Sequence, residues 1–157
     1  MNLRVIGVDT GEDKRKMVLG YGAETFLDFL EFPNPAALTA AVVAASAGLG
    51  PHAALIASGS GAAYDQALLY LRAHGTLVCV GLPTDAWISA DVMLTVSKAL
   101  RIVGSFVGNR QDAVEALDFV ARGRVMPRVS VEPLEAVASV FEKMEKGQIS
   151  GRVVVKC

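Results

Sequence analysis

The sequence predicts a doubly wound α/β fold in which a mostly parallel sheet is covered by helices on both faces. Short apolar runs alternate with helical patterns along the whole chain, and this alternation is typical of βαβ units. Most of the apolar runs are hydrophobic at successive positions, as strands buried on both faces are. Since 52% of the 157 residues are hydrophobic and 20% are charged, we expect one globular domain over residues 1–157 and not a disordered chain.

The first half of the chain is predicted to contain four strands and three helices. An apolar run at 3–8 predicts the first strand, and a helix at 13–20 ends at Gly20. A strand at 25–29 precedes a helix that begins near Pro35 and continues through alanines to Ala47. A third strand at 53–57 leads through a turn of serines and glycines into a helix at 62–72, and a strand at 75–81 follows.

The second half continues the same alternation. A short segment at 87–90, with Trp87 at one end and Ala90 at the other, precedes a helix at 92–98 and a strand at 101–105. Apolar residues recur at helical spacing over 112–122, including Val114 and Leu117, which indicates an amphipathic helix. A strand at 129–131, a helix at 133–146 and a strand at 152–155 complete the predicted elements.

Charge and cysteine content exclude several classes of protein. A net charge of −1 offers no basic surface for nucleic acid. Cys79 lies in an apolar run and Cys157 is the last residue, so we expect no structural disulfide and a reducing compartment. The two cysteines, His52 and His74 lack the paired spacing of metal ligands, so no zinc is expected. The first residues resemble neither a signal peptide nor a membrane span, and a soluble cytoplasmic protein is the expectation.

Asp9 is the most informative polar residue, because it ends the first predicted strand. Ligands of doubly wound sheets bind beyond the carboxyl ends of the strands, and an acidic residue there can bind the adenosine ribose hydroxyls of NAD. Its charge would repel the extra phosphate of NADP. The alternative is that Asp9 only caps the following helix, and the local sequence leaves both interpretations open.

The usual pyrophosphate-binding turn is missing from the sequence. No G-x-G-x-x-G motif occurs, although a dinucleotide fold uses such a turn to hold the pyrophosphate on backbone amides. The run from Gly59 to Gly61 follows the wrong strand and lacks the third glycine. We interpret it as a flexible turn between a strand and a helix.

Six stretches together make the chain resemble the C-terminal part of fungal, yeast-type zinc alcohol dehydrogenases of the medium-chain superfamily. They lie at residues 3–9, 22–29, 72–83, 102–110, 116–123 and 142–152. The resemblance implies a Rossmann-like sheet in which Asp9 binds the ribose and Lys14 lies beside the adenosine. It implies further cofactor-binding positions: along the nicotinamide half Val80, Leu82, Ser105 and Val107, and near the pyrophosphate Arg152. It also implies that residues 87–90 form an edge strand that pairs with its twin in a homodimer.

The sequence departs from this family in what it lacks. Relative to the family, we expect a truncated domain without the catalytic half, its zinc ligands, the first strand and the glycine-rich turn. In the strand order 3-2-1-4-5-6 the first strand is central, so a gap is predicted between the strand ending at Asp9 and the strand beginning at Ala53. Unpaired strand groups cost about 1–3 kcal/mol each when buried. Either these two strands pair directly, or another chain donates a strand, or the molecule dimerises through the opening.

Three functions remain open at this stage. The first is a truncated dehydrogenase-like protein that needs no cofactor, has no zinc-dependent redox activity and retains at most weak NAD binding. The second is a recruited cyclase or isomerase of a biosynthetic pathway that uses the vacated apolar cleft, lined by Ile6, Val8, Ile56, Val80 and Phe106. Its weak catalytic candidates are Ser58, Tyr64, Asp9 and Ser105. The third is a dimeric interaction module.

Overall fold

The computed structural model describes residues 3–157, which form two compact units divided between Phe106 and Val107. Both units contain parallel strands and helices, so the predicted α/β class with parallel sheets is confirmed. The prediction of a single domain stays a prediction. Among the described residues, no helix has the length and apolar character needed to cross a membrane.

The first unit contains two separate parallel sheets. The strands are β1 (Ile6–Asp9), β2 (Thr25–Asp28), β3 (Ala53–Ile56), β4 (Thr76–Cys79) and β5 (Arg101–Gly104), and the helices are α1 (Glu12–Gly20), α2 (Pro35–Ala45), α3 (Gly61–Tyr70) and α4 (Val92–Ser97). Strand β1 pairs with β2, and the other three strands pair in the order β3-β4-β5. Apart from the edge strand at 87–90, each predicted strand and helix of this unit is therefore present, with ends shifted by a few residues.

Local sequence explains where several helices begin. The Asn34 side chain accepts a hydrogen bond from the Ala37 amide at 2.9 Å, and Pro35 occupies the first turn of α2. The Asp91 side chain accepts in the same way from the Leu94 amide at 2.7 Å at the start of α4. Such caps satisfy amides that have no partner inside the helix, and proline at the first helical position lacks one of those amides.

The core of the first unit lies between α2, α3 and the β3-β4-β5 sheet. Its fully buried side chains are Leu68 on α3, Leu71 just after it and Leu77 on β4. Leu38 and Val42 of α2 pack into the same cluster. Strand β4 lies between β3 and β5, which explains why Leu77 is among the most buried residues.

The second unit has a shorter set of elements. It comprises α5 (Arg110–Ala121), β6 (Val129–Pro133), a short 3₁₀ turn (Leu134–Ala136), α6 (Val137–Glu145) and β7 (Arg152–Lys156). The β6 and β7 strands form a parallel pair of their own. Asn109 and Asp112 form a reciprocal capping box at the start of α5, which satisfies two amides of its first turn.

Strands β1 and β3 do not pair with each other, so direct closure of the predicted gap does not occur in the single chain. Within residues 3–157, β1 pairs only with β2 and β3 only with β4. The edge strand predicted at 87–90 is also not formed in the single chain, where these residues are irregular. A strand needs a neighbour for its backbone hydrogen bonds, and Trp87 has none here, being 85% exposed. Its pairing with a twin stays a prediction.

Candidate functional site

A cleft of about 880 Å³ opens where β1 and β3 face each other without pairing. The carboxyl ends of both strands line it, with Val8 and Asp9 on one side and the segment from Leu55 to Ser60 on the other. Besides the polar residues Lys14, Asn34 and Gln66, the rest of the lining is mainly aromatic and apolar: Phe29, Phe32, Pro33, Pro35, Leu38 and Tyr70. A concave, mostly apolar site with a few polar groups at its mouth is the usual form of a small-molecule site.

Asp9 lines this cleft. Its Oδ1 accepts a hydrogen bond from the Thr10 amide at 2.8 Å and another from Lys14 Nζ at 2.7 Å. Both of these contacts involve Oδ1, and no hydrogen bond to Oδ2 is found among residues 3–157. The carboxylate therefore keeps an oxygen that can accept bonds from hydroxyl donors of a ligand.

Asp28 lies beside Asp9 because the two residues are register partners on β2 and β1. It is a charged residue that is only 9% exposed. Its Oδ2 accepts a hydrogen bond from the Gly11 amide at 2.9 Å, and its Oδ1 accepts one from the Leu30 amide at 3.0 Å. The Gly11 amide is the main cause that lowers the pKa of Asp28 below its usual value, with contributions from Thr10, Leu30 and Arg15, while burial acts in the opposite direction.

Gly11 allows the turn between Asp9 and α1 to take its shape. Its φ is +98°, in the region that side chains with a Cβ rarely adopt. This conformation directs the Gly11 amide toward Asp28, while the Gly11 carbonyl accepts a hydrogen bond from the Arg15 amide at 3.0 Å at the start of α1. The turn from Asp9 to Gly11 is thus held at both ends.

The opposite wall of the cleft is the turn that follows β3. The Ser60 amide donates to Ser58 Oγ at 3.1 Å, and α3 begins directly afterwards at Gly61. Gly81 lies so close to this turn that a Cβ at Gly81 would overlap the Ser58 carbonyl oxygen. The position of Ser58 therefore depends on Gly81, which follows the neighbouring strand β4.

The predicted site residues divide into three groups. Asp9, Lys14 and Ser58 line the large cleft. Tyr64 is buried, and its hydroxyl donates to the Gly81 carbonyl at 2.7 Å. Tyr64 and Leu82 line a separate cavity of about 190 Å³ beside Trp87.

The remaining predicted positions lie outside both cavities. Val80 and Ser105 follow β4 and β5, and the Ser105 amide donates to the Cys79 carbonyl at 2.9 Å. Val107 and Arg152 belong to the second unit, and Arg152 opens β7, where its Nη1 donates to the Gly151 carbonyl at 3.1 Å. Their assignment to the cofactor stays a prediction.

The predicted lining of the apolar cleft is partly wrong. Val8 and Ile56 line the cleft, whereas Ile6, Val80 and Phe106 do not. The strand order explains the error for Val80 and Phe106, because β4 and β5 lie about 5 and 10 Å from the β3 edge at normal strand spacing. Residues that follow those strands are thus separated from the gap by β3. Ile6 is the first residue of β1, whereas the cleft is lined by the carboxyl end of that strand. Of the four weak catalytic candidates, only Asp9 and Ser58 line the cleft.

A zinc ion does not fit the described part of the chain. Across residues 3–157, no three His, Cys, Asp or Glu side chains come together as a metal-binding group. Zinc in proteins takes three or four such ligands. The donor set of a dehydrogenase zinc site is therefore not found in this segment.

Comparison with known proteins gives consistent matches. The family model described as zinc-binding dehydrogenase matches residues 1–122. The chain is 44% identical over 157 residues to alcohol dehydrogenase 1 of Emericella nidulans, covering 99% of this chain and 44% of that protein. It is 41% identical over 155 residues to an alcohol dehydrogenase of Schizosaccharomyces pombe, covering 99% and 43%. The chain thus spans less than half the length of these curated relatives.

A solved structure shows the same arrangement of elements. The alcohol dehydrogenase of Aeropyrum pernix superimposes with a TM-score of 0.86 at 26% identity, over 97% of this chain and 42% of that one. The likeness extends over nearly all of the described elements, including those on both sides of the gap.

Proposed function

Since this chain belongs to the zinc-binding dehydrogenase family, whose model matches residues 1–122, we propose that residues 1–157 bind the adenosine half of NAD(H) weakly and carry out no zinc-dependent alcohol oxidation by themselves. The observation that carries this proposal is that Asp9 lines the cleft with its carboxylate paired to Lys14 at 2.7 Å. The sequence resemblance assigns the ribose to the same residue.

The chemistry of Asp9 suits a ribose. The two adjacent hydroxyls of a ribose are donors, and an ionised carboxylate accepts through both of its oxygens. Lys14 and the Thr10 amide contact Oδ1, so they orient the carboxylate and leave Oδ2 for the ligand. A phosphate on the 2′ position of the ribose would bring further negative charge next to the Asp9 carboxylate. The resulting repulsion favours NAD(H) over NADP(H).

The affinity is expected to be weak for a physical reason. The backbone cradle of a G-x-G-x-x-G turn is not in the sequence, and this cradle is the part that holds a pyrophosphate in dinucleotide folds. With the ribose contacts alone, we expect a Kd of about 0.1–1 mM. When bound, NAD(H) would supply hydride transfer at its nicotinamide ring, while the cleft residues would hold the adenosine end.

Titration of the 157-residue chain tests this proposal. We expect ADP-ribose and NADH to bind with similar affinities in calorimetry, and NADPH to bind at least about tenfold more weakly because of the 2′-phosphate. An ethanol oxidation assay with NAD and added zinc should give no turnover above the buffer. Absence of ADP-ribose binding at millimolar concentrations would contradict the binding half of the proposal, and turnover at ordinary enzyme rates would contradict the other half.

A second candidate function is self-association through the gap. The facing edges of β1 and β3 have no backbone partner within the described chain. On these strands Val8 is 41% and Leu55 is 67% exposed. Unpaired edges with apolar side chains are sites where proteins pair with another chain, and a second copy offers the same two edges in a symmetric dimer.

Light scattering after size exclusion tests the dimer. The expected mass is twice the 16.5 kDa of one chain, and Leu55→Lys is expected to return it to one chain by placing a charge in the cleft. Leu69→Lys is the matched control, because Leu69 is 50% exposed on α3 and does not line the cleft. If Trp87→Lys dissociates the dimer and Leu55→Lys does not, the edge at 87–90 is the interface. A wild-type monomer at all concentrations would contradict both routes.

A further inference from the structure

Two aspartates end neighbouring strands in the first unit, and this arrangement needs an explanation. Asp9 and Asp28 are directly paired in the parallel register of β1 and β2. Two like charges at this spacing repel each other unless other groups compensate each of them. The proposed function uses only Asp9.

Each carboxylate has its own set of compensating groups. Asp9 is paired with Lys14 and accepts from the Thr10 amide. Asp28 accepts from the Gly11 and Leu30 amides and is buried. The groups that contact Asp28 are therefore mainly backbone donors, which fix geometry as well as charge.

The hydrogen bond from the Gly11 amide to Asp28 links the end of β2 to the turn that follows β1. The Gly11 amide is two residues after Asp9 and 17 residues before Asp28 in sequence. Gly11 has a positive φ that only glycine adopts easily. The hydrogen bonds made by the Gly11 amide and carbonyl hold the turn in this conformation. A carboxylate that accepts from backbone amides forms the strong, charge-assisted kind of hydrogen bond.

We infer that Asp28 is a positioning residue of the nucleotide site: its carboxylate fixes the Gly11 amide and so holds the turn from which Asp9 meets the ribose. This inference rests on the proposed function of Asp9. It assigns a role to a buried charge that packing alone does not require, since an apolar side chain at the end of β2 would be buried without a desolvation cost. Asp28 itself does not line the cleft.

Charged groups on two neighbouring elements lie close to Asp28. From α1, Arg15 attracts the carboxylate, and this guanidinium also pairs with Glu31 at 2.6 Å. Asp9 faces it from β1 and is compensated by Lys14. Because the folded pKa of Asp28 lies below its usual value of 3.8, its hydrogen bonds are fully present above pH 3.8 and are lost as the pH falls through the folded pKa.

The test combines a ligand titration with an observation that needs no ligand. Calorimetry at pH 7 compares ADP-ribose binding to the 157-residue chain, to Asp28→Asn and to the control Glu31→Gln. Glu31→Gln removes an exposed carboxylate that pairs with Arg15, and among residues 3–157 Glu31 makes no hydrogen bond to Asp9, Gly11 or Asp28. We expect the Asp28→Asn change to lower affinity about 3–10-fold and the control to stay within twofold. In parallel, the Gly11 amide resonance of the wild-type chain is followed by NMR from pH 6 downward.

The Gly11 resonance is expected to shift with a midpoint below pH 3.8 in the wild type and to show no such step in Asp28→Asn. The wild-type titration depends neither on ligand binding nor on the stability of the variant. If Asp28→Asn binds ADP-ribose as the wild type does, or if the wild-type Gly11 amide does not titrate, the inference on Asp28 is wrong while the proposed function stands. If the wild type binds no ADP-ribose, the proposed function fails first and the inference with it.

Discussion

Asp9→Asn is expected to reverse the nucleotide preference of the chain. Asparagine has nearly the same shape, but it replaces an ionised acceptor by a neutral amide, and hydrogen bonds to charged groups contribute about 1.5–3 kcal/mol. Affinity for ADP-ribose should therefore fall by about tenfold or more. Lys14 loses its ion-pair partner at 2.7 Å, and its uncompensated charge can then attract a phosphate on the 2′ position of the ribose, so the affinity for 2′-phospho-ADP-ribose should rise several-fold.

The control for this experiment is Asp13→Asn. Asp13 is an aspartate in the first turn of α1, four residues after Asp9, and it does not line the cleft. Asp13→Asn changes the net charge of the chain by the same amount as Asp9→Asn, so general electrostatic effects on an anionic ligand are matched. Calorimetric titration of both ligands into all three proteins gives the ratio of affinities. An unchanged ratio in Asp9→Asn would mean that Asp9 acts only in holding the turn.

The sequence was sufficient to predict the elements that define the fold. Alternating apolar runs and helical patterns predict every strand and helix of the first unit, because buried parallel strands and amphipathic helices differ in length and periodicity. The ends are less accurate. The helix predicted over 62–72 ends at Tyr70 in the structure, since the backbone becomes extended at Leu71, where ψ is 139°.

The site was predicted in part. Asp9 could be found because it ends an apolar strand, and it does lie at the cleft. Asp28 ends β2 in the structure, but the predicted strand continues to Phe29, and the sequence does not show that Gly11 is the partner of Asp28 17 residues earlier. Long-range hydrogen bonds of this kind depend on strand register, which a single sequence leaves open.

The distribution of residues around the gap also needed the three-dimensional structure. The sequence predicts that Ile56 and Val80 line the same opening, since each lies near the carboxyl end of an apolar run. The structure places only Ile56 there, because a strand order of β3-β4-β5 puts β3 at the edge. The family resemblance already predicts that β3 borders the gap, but the sequence does not show how far residues that follow the neighbouring strands reach past β3.

Gly81→Ala should lower both the free energy of unfolding and the affinity for ligand, because the added methyl group would displace the turn that forms one wall of the cleft. Gly81 follows β4, and a methyl group there would overlap the Ser58 carbonyl oxygen and approach Ala57. The Gly81 amide also donates to the Ile56 carbonyl at 2.9 Å, so the two segments cannot separate without breaking this contact. Since the obstacle is backbone, relief requires movement of the turn after β3, and overpacking of this kind costs about 1–3 kcal/mol.

Gly59→Ala provides the matched control for this effect. Gly59 lies in the same turn and lines the cleft, but a Cβ there meets no atom within 4 Å. Neither glycine has a positive φ, so neither substitution forces a side chain into the left-handed region, and the main difference between them is the available space. Urea unfolding followed by far-UV circular dichroism should show a change within about 0.5 kcal/mol for Gly59→Ala. Equal losses in the two variants would contradict the close approach, whereas a loss confined to Gly81→Ala would show that this glycine fixes the Ser58 wall of the cleft.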